Sequence, residues 1–112
     1  FTRSTASMAL DSFSGKCVLL MSGQSSNQLT IVAQRKIETQ LEGLGIEYTK
    51  VDGMEPDNKE ARAALWAKAD AKPGTYPIVF NMQSGKYWYG DDLQVALDDS
   101  ALGSALAEFK KL

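Results

Sequence analysis

A proline at the head of a short apolar run constrains this chain more than any other feature. Pro77 precedes Ile78-Val79-Phe80. Proline has no N–H to give to a ladder, so in a sheet it belongs at a strand's first residue or on an edge. The β-branched and aromatic run behind it reads as a buried strand. Asn81-Met82-Gln83-Ser84-Gly85 then reads as a turn with a glycine free to take positive φ. Lys86-Tyr87-Trp88-Tyr89 reads as a second strand, and the two close into a hairpin. Two readings of the Tyr76–Pro77 bond stay open. A trans bond merely starts the strand; a cis bond turns the Tyr76 backbone groups outward. Only about 5–6% of X–Pro bonds are cis, so the choice turns on the rest of the chain.

Upstream, Lys16-Cys17-Val18-Leu19-Leu20-Met21 is a nearly unbroken apolar run, the pattern of a central strand buried on both faces. Cys17 near its start reads as a small buried hydrophobe, without a basic or histidine neighbour to activate it. Ser22-Gly23-Gln24-Ser25-Ser26-Asn27 is a polar loop whose Ser26 or Asn27 caps the next helix. That helix is expected from Gln28 to Leu44, with a mostly apolar stripe at Leu29, Val32, Ala33, Lys36, Ile37, Gln40, Leu41 and Leu44. Gly43 and Gly45 mark its end. Ile46 to Val51 alternates as a half-wet strand, joined to the first by a crossover that makes the pair parallel. Pro56 opens a helix to about Ala69, with Ala61, Ala64, Leu65 and Lys68 on one face and Trp66 off that line, free to pack against the following loop. After the hairpin, Gly90 turns the backbone, Asp91 or Asp92 caps a short helix, and a last helix runs from Ala101 to Lys111 with Leu102, Leu106 and Phe109 inward. The expected architecture is α/β: a four-stranded mixed sheet with helices on both faces.

Composition excludes much. At 112 residues, 44% of them hydrophobic, the chain is one domain with material for a core. A net charge of -2 gives no footprint for nucleic acid. No apolar run is long enough to span a membrane. There is no histidine, which removes the commonest general base and metal ligand. One cysteine excludes an internal disulfide, a dithiol pair and a cysteine-based zinc site. Ser22, Ser25 or Ser26 as a nucleophile would need an adjacent base; helix capping and loop solvation explain these serines without one. Asp91, Asp92, Asp98 and Asp99 lack the spacing of a calcium loop, and acids at helix starts follow from the helix dipole.

The order of elements, with Tyr76-Pro77 heading the third strand and Gly90-Asp91-Asp92 after the fourth, resembles the thioredoxin fold in its glutaredoxin form. The nearer resemblance is to the Src-homology-3-binding glutamic-acid-rich-like proteins, a glutaredoxin-related group. It is carried by Asp57-Asn58-Lys59-Glu60-Ala61-Arg62, Tyr76-Pro77-Ile78-Val79-Phe80-Asn81, Tyr87-Trp88 and Tyr89-Gly90-Asp91-Asp92, and it spans Lys16 to Lys111. The resemblance implies that Pro77 is the family's cis-proline. It implies that the Tyr76 backbone pairs with the cysteinyl part of glutathione, and that Gly90, Asp91 and Asp92 receive its γ-glutamyl end. The chain departs from the family in the first loop, where glutaredoxins place one or two cysteines and this sequence has Ser22 to Asn27. Met21 also stands where glutaredoxins usually carry a lysine.

Two functions follow as expectations. The first is a redox-inactive module that binds a protein partner through the groove beside Pro77, as a peripheral subunit of a larger organellar complex. Tyr76, Tyr87, Trp88 and Tyr89 are its candidate aromatic contacts. The second is a glutathione-binding protein without thiol turnover, since a serine cannot replace the missing thiolate. The candidate binding residues are Ser22, Gly23, Gln24 and Ser25 in the first loop, Tyr76 and Pro77, and Gly90, Asp91 and Asp92. No metal is expected, and no cofactor other than glutathione. Residues 1–14 are rich in Ser and Thr, poor in acid and carry Arg3. They read as a flexible tail before a domain over 15–112, and resemble the remnant of an organelle transit peptide. The leading Phe is similar to plastid import signals of algae with red-lineage plastids, which favours a plastid over the cytoplasm.

Overall fold

The computed structural model describes residues 13–23, 27–99 and 101–110. β1 (Cys17–Met21) occupies the middle of the sheet, and its first four residues are fully buried. It pairs in parallel with β2 (Thr49–Asp52) and antiparallel with β3 (Ile78–Asn81), which pairs antiparallel with β4 (Lys86–Tyr89). The order β2-β1-β3-β4 is the mixed four-stranded sheet expected from the sequence. Alternation along the strands divides the core. Cys17, Leu19 and Val79 face one side, under α1 (Gln28–Gly43), α3 (Gly90–Asp98) and α4 (Ala101–Ala105). Val18, Leu20, Ile78 and Phe80 face the other, under α2 (Lys59–Lys68) with Leu65 and Trp66.

Local chemistry sets the boundaries. The Asn27 side chain accepts from the amides of Leu29 and Thr30, capping α1. Gly45, at φ 71°, ends it; the amides of Gly45 and Ile46 return to the carbonyls of Glu42 and Leu41, the pairing of a Schellman motif. The Asn81 carboxamide, in the β3–β4 turn, accepts from the amides of Gln83 and Ser84 and donates to the Ala105 carbonyl and the Glu108 carboxylate. It ties the hairpin to the C-terminal segment. The Tyr76–Pro77 peptide is cis. Phe13 packs against the α2-side core; most of the expected 1–14 tail lies outside the described residues.

Four expectations need correction. β2 begins at Thr49 and not at Ile46, which makes an isolated bridge to Lys110. Pro56–Asn58 forms a 3-10 turn, and the α-helix starts at Lys59. The last helix stops at Ala105, and Ala107–Phe109 continues as a 3-10 turn; the Ala105 carbonyl is taken by Asn81 instead of by a further helical turn. Neither Asp91 nor Asp92 caps α3. The cap position is the extended Tyr89, Gly90 turns the chain into the helix at a left-handed φ of 60°, and both acids lie in the first turn, where the helix dipole favours them.

Candidate functional site

The N-terminal turns of α1, the Tyr76–Pro77 segment and the start of α3 enclose an open groove of about 560 Å³. One wall is Leu29, Val32 and Ala33, and the opposite wall is Gly90, Asp91, Leu93 and Gln94. The expected buried stripe of α1 fails here: Leu29 is 82% and Val32 59% exposed, whereas Ile37 and Leu41 are fully buried. The C-terminal turns of α1 cover the sheet, and its first turns face the groove instead.

Tyr76 contributes chiefly its main chain. Its ring is half-buried and meets the Trp66 edge at 5.6 Å and 65°. The hydroxyl lies so close over Gly53 that no Cβ fits there. Burial pushes the Tyr76 hydroxyl pKa up, against the pull of the Arg62 charge. Arg62 sits 5.7 Å over the Trp66 ring and donates to the Gly53 carbonyl at 2.6 Å. Trp66 Nε1 donates to the Thr75 carbonyl at 3.0 Å, so α2 does pack against the loop before Pro77. Among the described residues, the Tyr76 N–H and C=O have no hydrogen-bond partner.

The first loop is anchored at its start. Ser22 is 5% exposed, its N–H donates to Gln34 Oε1 at 2.9 Å, and its carbonyl accepts from Gln34 Nε2 at 3.0 Å. The Gly23 amide donates to Asp52 Oδ1 at 3.0 Å, which also accepts from the Met54 amide at 2.9 Å. Ser22 is therefore a buried strut and no groove contact. Gln24 and Ser25 lie outside the described residues. Of the other candidates, Tyr76, Pro77, Gly90 and Asp91 line the groove together. Asp92 lies in an adjoining hollow with Tyr87, Tyr89, Gly90 and Asp91. Leu29, Val32 and Gln34 were not singled out as site residues; the signal was available only as apolar residues in the first turns of a helix that follows a polar loop.

Cys17 is at the other end of β1, opposite Asn81, beside a separate hollow lined by Lys16, Glu47 and Tyr48. It is 1% exposed, and burial pushes its thiol up to about 12. Among the described residues no three His, Cys, Asp or Glu side chains come close enough to hold a metal ion, and no helix is long and apolar enough to cross a membrane.

The chain superposes on a wheat glutaredoxin with a TM-score of 0.67 at 20% identity, covering 96% of this chain and 95% of that one. It superposes on a buckwheat glutaredoxin–glutathione complex with a TM-score of 0.65 at 22% identity, covering 96% of both. The fold is the thioredoxin fold in its glutaredoxin form. No protein-family model matches the chain, and no curated protein matches it by sequence. Within this glutaredoxin-like frame the chain's one cysteine is Cys17, so the two-cysteine active site is absent.

Proposed function

We propose that this is a redox-inactive glutaredoxin-like module whose groove takes an extended segment of a protein partner, as a peripheral subunit of a larger complex. The observation that carries the reading is the Tyr76 N–H and C=O, without a hydrogen-bond partner among the described residues, in a groove walled by exposed Leu29 and Val32. An added strand gains affinity from main-chain hydrogen bonds and specificity from side-chain pockets. Redox inactivity follows from the nucleophile: thiol–disulfide exchange needs a thiolate, the first loop has none, and Cys17 is buried with its pKa raised to about 12. The Tyr87-Trp88 and Tyr89-Gly90-Asp91-Asp92 stretches support placing the chain beside the Src-homology-3-binding glutamic-acid-rich-like proteins. A plastid location rests on the composition of residues 1–14, and organelle fractionation tests it.

Glutathione binding without turnover is the second reading. It is favoured by Asp91 and Asp92 in the first turn of α3 and by the likeness to a glutaredoxin–glutathione complex. Against it, Met21 offers no cation for the glycine carboxylate, and Lys36 in the groove wall is engaged by Asp98 at 3.1 Å. The test is recovery of a complex from native extract together with calorimetric titration of glutathione. A stoichiometric complex that is lost on Leu29→Asp, with no heat from glutathione, upholds the partner reading. Glutathione heat that disappears on Asp92→Ala replaces it with the second.

A further inference from the structure

The two edges of the sheet are finished differently. At the β2 edge the approach to the strand is occupied: Ile46 bridges Lys110, and the Glu47 amide donates to the Phe109 carbonyl at 2.8 Å. At the far end of β2 the Asp52 carbonyl accepts from Asn58 Nδ2 at 3.0 Å and from the Glu55 amide at 3.1 Å. β4 is the other edge. It pairs with β3, and among the described residues nothing pairs with its outer side. An unpaired edge is a template for another chain, and proteins commonly blunt it with proline, a bulge or a charge in the strand. β4 carries no proline and follows β3 without a bulge. Its one charge, Lys86, stands at its first residue, and Tyr87-Trp88-Tyr89 is a run of strong strand formers.

We infer that β4 is the contact between two copies of this chain, paired edge to edge and antiparallel about a two-fold axis through Trp88. Alternation sets the register. Trp88 lies on the α1 side of the sheet with Lys86, and Tyr87 and Tyr89 lie on the α2 side with Phe80. A two-fold axis through the sheet keeps the faces of both copies aligned, so residues that meet must share a face. Centring on Trp88 sets Tyr87 opposite Tyr89 of the second copy, twice. It also carries Lys86 to Gly90 of the second copy, next to Asp91 and Asp92. Nothing lies within 4 Å of where a Gly90 side chain would begin, so that approach is open. The edge therefore has a positive end and a negative end, and antiparallel self-pairing joins unlike ends at both. Three residues past Asp92, Val95 is 58% exposed and outside the groove wall, which adds an apolar group on that flank of α3. A four-residue edge buries little surface, so the dimer is weak and depends on concentration. The inference goes beyond the groove reading and stands without it, since none of Lys86 to Tyr89 lines the groove.

The test is sedimentation velocity of the full chain from about 10 μM to about 1 mM, with amide hydrogen exchange over the same range. The mass is expected to rise from one chain toward two, while exchange slows in β4 and stays constant elsewhere. Lys86 is exposed, so Lys86→Glu probes the contact without disturbing the core. It changes both symmetry-related contacts and should weaken the dimer about tenfold or more. Asp91→Lys/Asp92→Lys should do the same. An equimolar mixture of the two variants should associate again, because each contact then pairs unlike charges. A single-chain mass at every concentration overturns the inference, as does an unchanged dimer in Lys86→Glu or a mixture no tighter than its components. Slowed exchange outside β4, or a dimer lost on Leu29→Asp but kept in Lys86→Glu, overturns it too, since the copies then meet elsewhere.

Discussion

Replacing Gln34 tests whether the first loop is held as described. Gln34 is 5% exposed and its carboxamide makes two bonds to one residue, accepting from the Ser22 N–H at 2.9 Å and donating to the Ser22 carbonyl at 3.0 Å. Gln34→Leu keeps similar volume but strands both main-chain groups at a buried position. Each unsatisfied group costs about 1–3 kcal/mol, and burying an alkyl group in place of an amide offsets part of that. The net loss is about 2–4 kcal/mol. For 112 residues, an unfolding entropy of roughly 0.24 kcal/mol/K turns this into a fall in melting temperature of about 8–17 °C. Gln34→Glu gives the sharper reading. A protonated carboxyl reproduces both bonds; a carboxylate loses the donor and faces the Ser22 carbonyl oxygen. Burial and that oxygen both favour the protonated form, so the folded pKa rises above the unfolded value of about 4.3. Stability relative to the wild type is then fully present below that value. It falls as pH rises toward the folded pKa, by about 1.4 kcal/mol per unit. Guanidinium unfolding followed by circular dichroism from about pH 3.5 to 7 measures the difference. A Gln34→Leu variant within about 0.5 kcal/mol of the wild type, or a pH-independent difference for Gln34→Glu, would refute the reasoning.

Three further predictions follow from single contacts. Cys17, whose thiol is raised to about 12 by burial, should resist an aromatic disulfide reagent near pH 8 in the native chain and react fully in guanidinium; any stability it contributes is present below the ordinary thiol range and declines as pH rises toward the raised value. Gly53→Ala places a methyl against the Tyr76 ring, which Trp66 blocks from moving aside. It should cost about 1–3 kcal/mol, alter the near-ultraviolet dichroism of Trp66 and Tyr76, and weaken any peptide bound in the groove. Asp98 has its pKa lowered by the hydrogen bond from Lys36 and then by Gln94, so its contribution is present above the ordinary carboxylate range and lost as pH falls through the lowered value; Lys36→Ala should move the Asp98 carboxyl titration upward in a carbon-detected NMR series.

What could be read in the sequence was what depends on short range. A continuous apolar run gave β1 its central place, and Pro77 with the Asn81–Gly85 turn gave the hairpin its two ends. What could not be read depends on the extent of a partner surface. Periodicity identified the stripe of α1 but not where the sheet beneath it stops, so Leu29 and Val32 looked identical in kind to Ile37 and Leu41. Gln34 was invisible for a related reason. A buried glutamine is stable only through its partner, and that partner is the main chain of Ser22, 12 residues earlier. The break after Ala105 likewise depends on Asn81, 24 residues away.

The supports of the groove meet at the turn of Asp52, Gly53 and Met54. The Tyr76 main chain is positioned from the α2 side: Trp66 holds the Thr75 carbonyl, the Tyr76 ring fills the space between Trp66 and Gly53, and Arg62 spans Gly53 and Trp66. The start of the first loop is positioned by Gln34 and by Asp52, whose Oδ1 also accepts from the Met54 amide and so ties that loop to the turn carrying Gly53. None of these contacts involves a thiol, so removing the thiol chemistry from the first loop leaves the α2-side supports intact. A donor and an acceptor held in place before a ligand arrives cost less ordering entropy when it binds. Loss of a nucleophile is therefore compatible with retained affinity. The Gly53 amide also donates to the Met21 carbonyl just before the first loop, so changes in that loop and changes at Gly53 are expected to be coupled in their effect on binding, which a double-mutant cycle on peptide affinity measures.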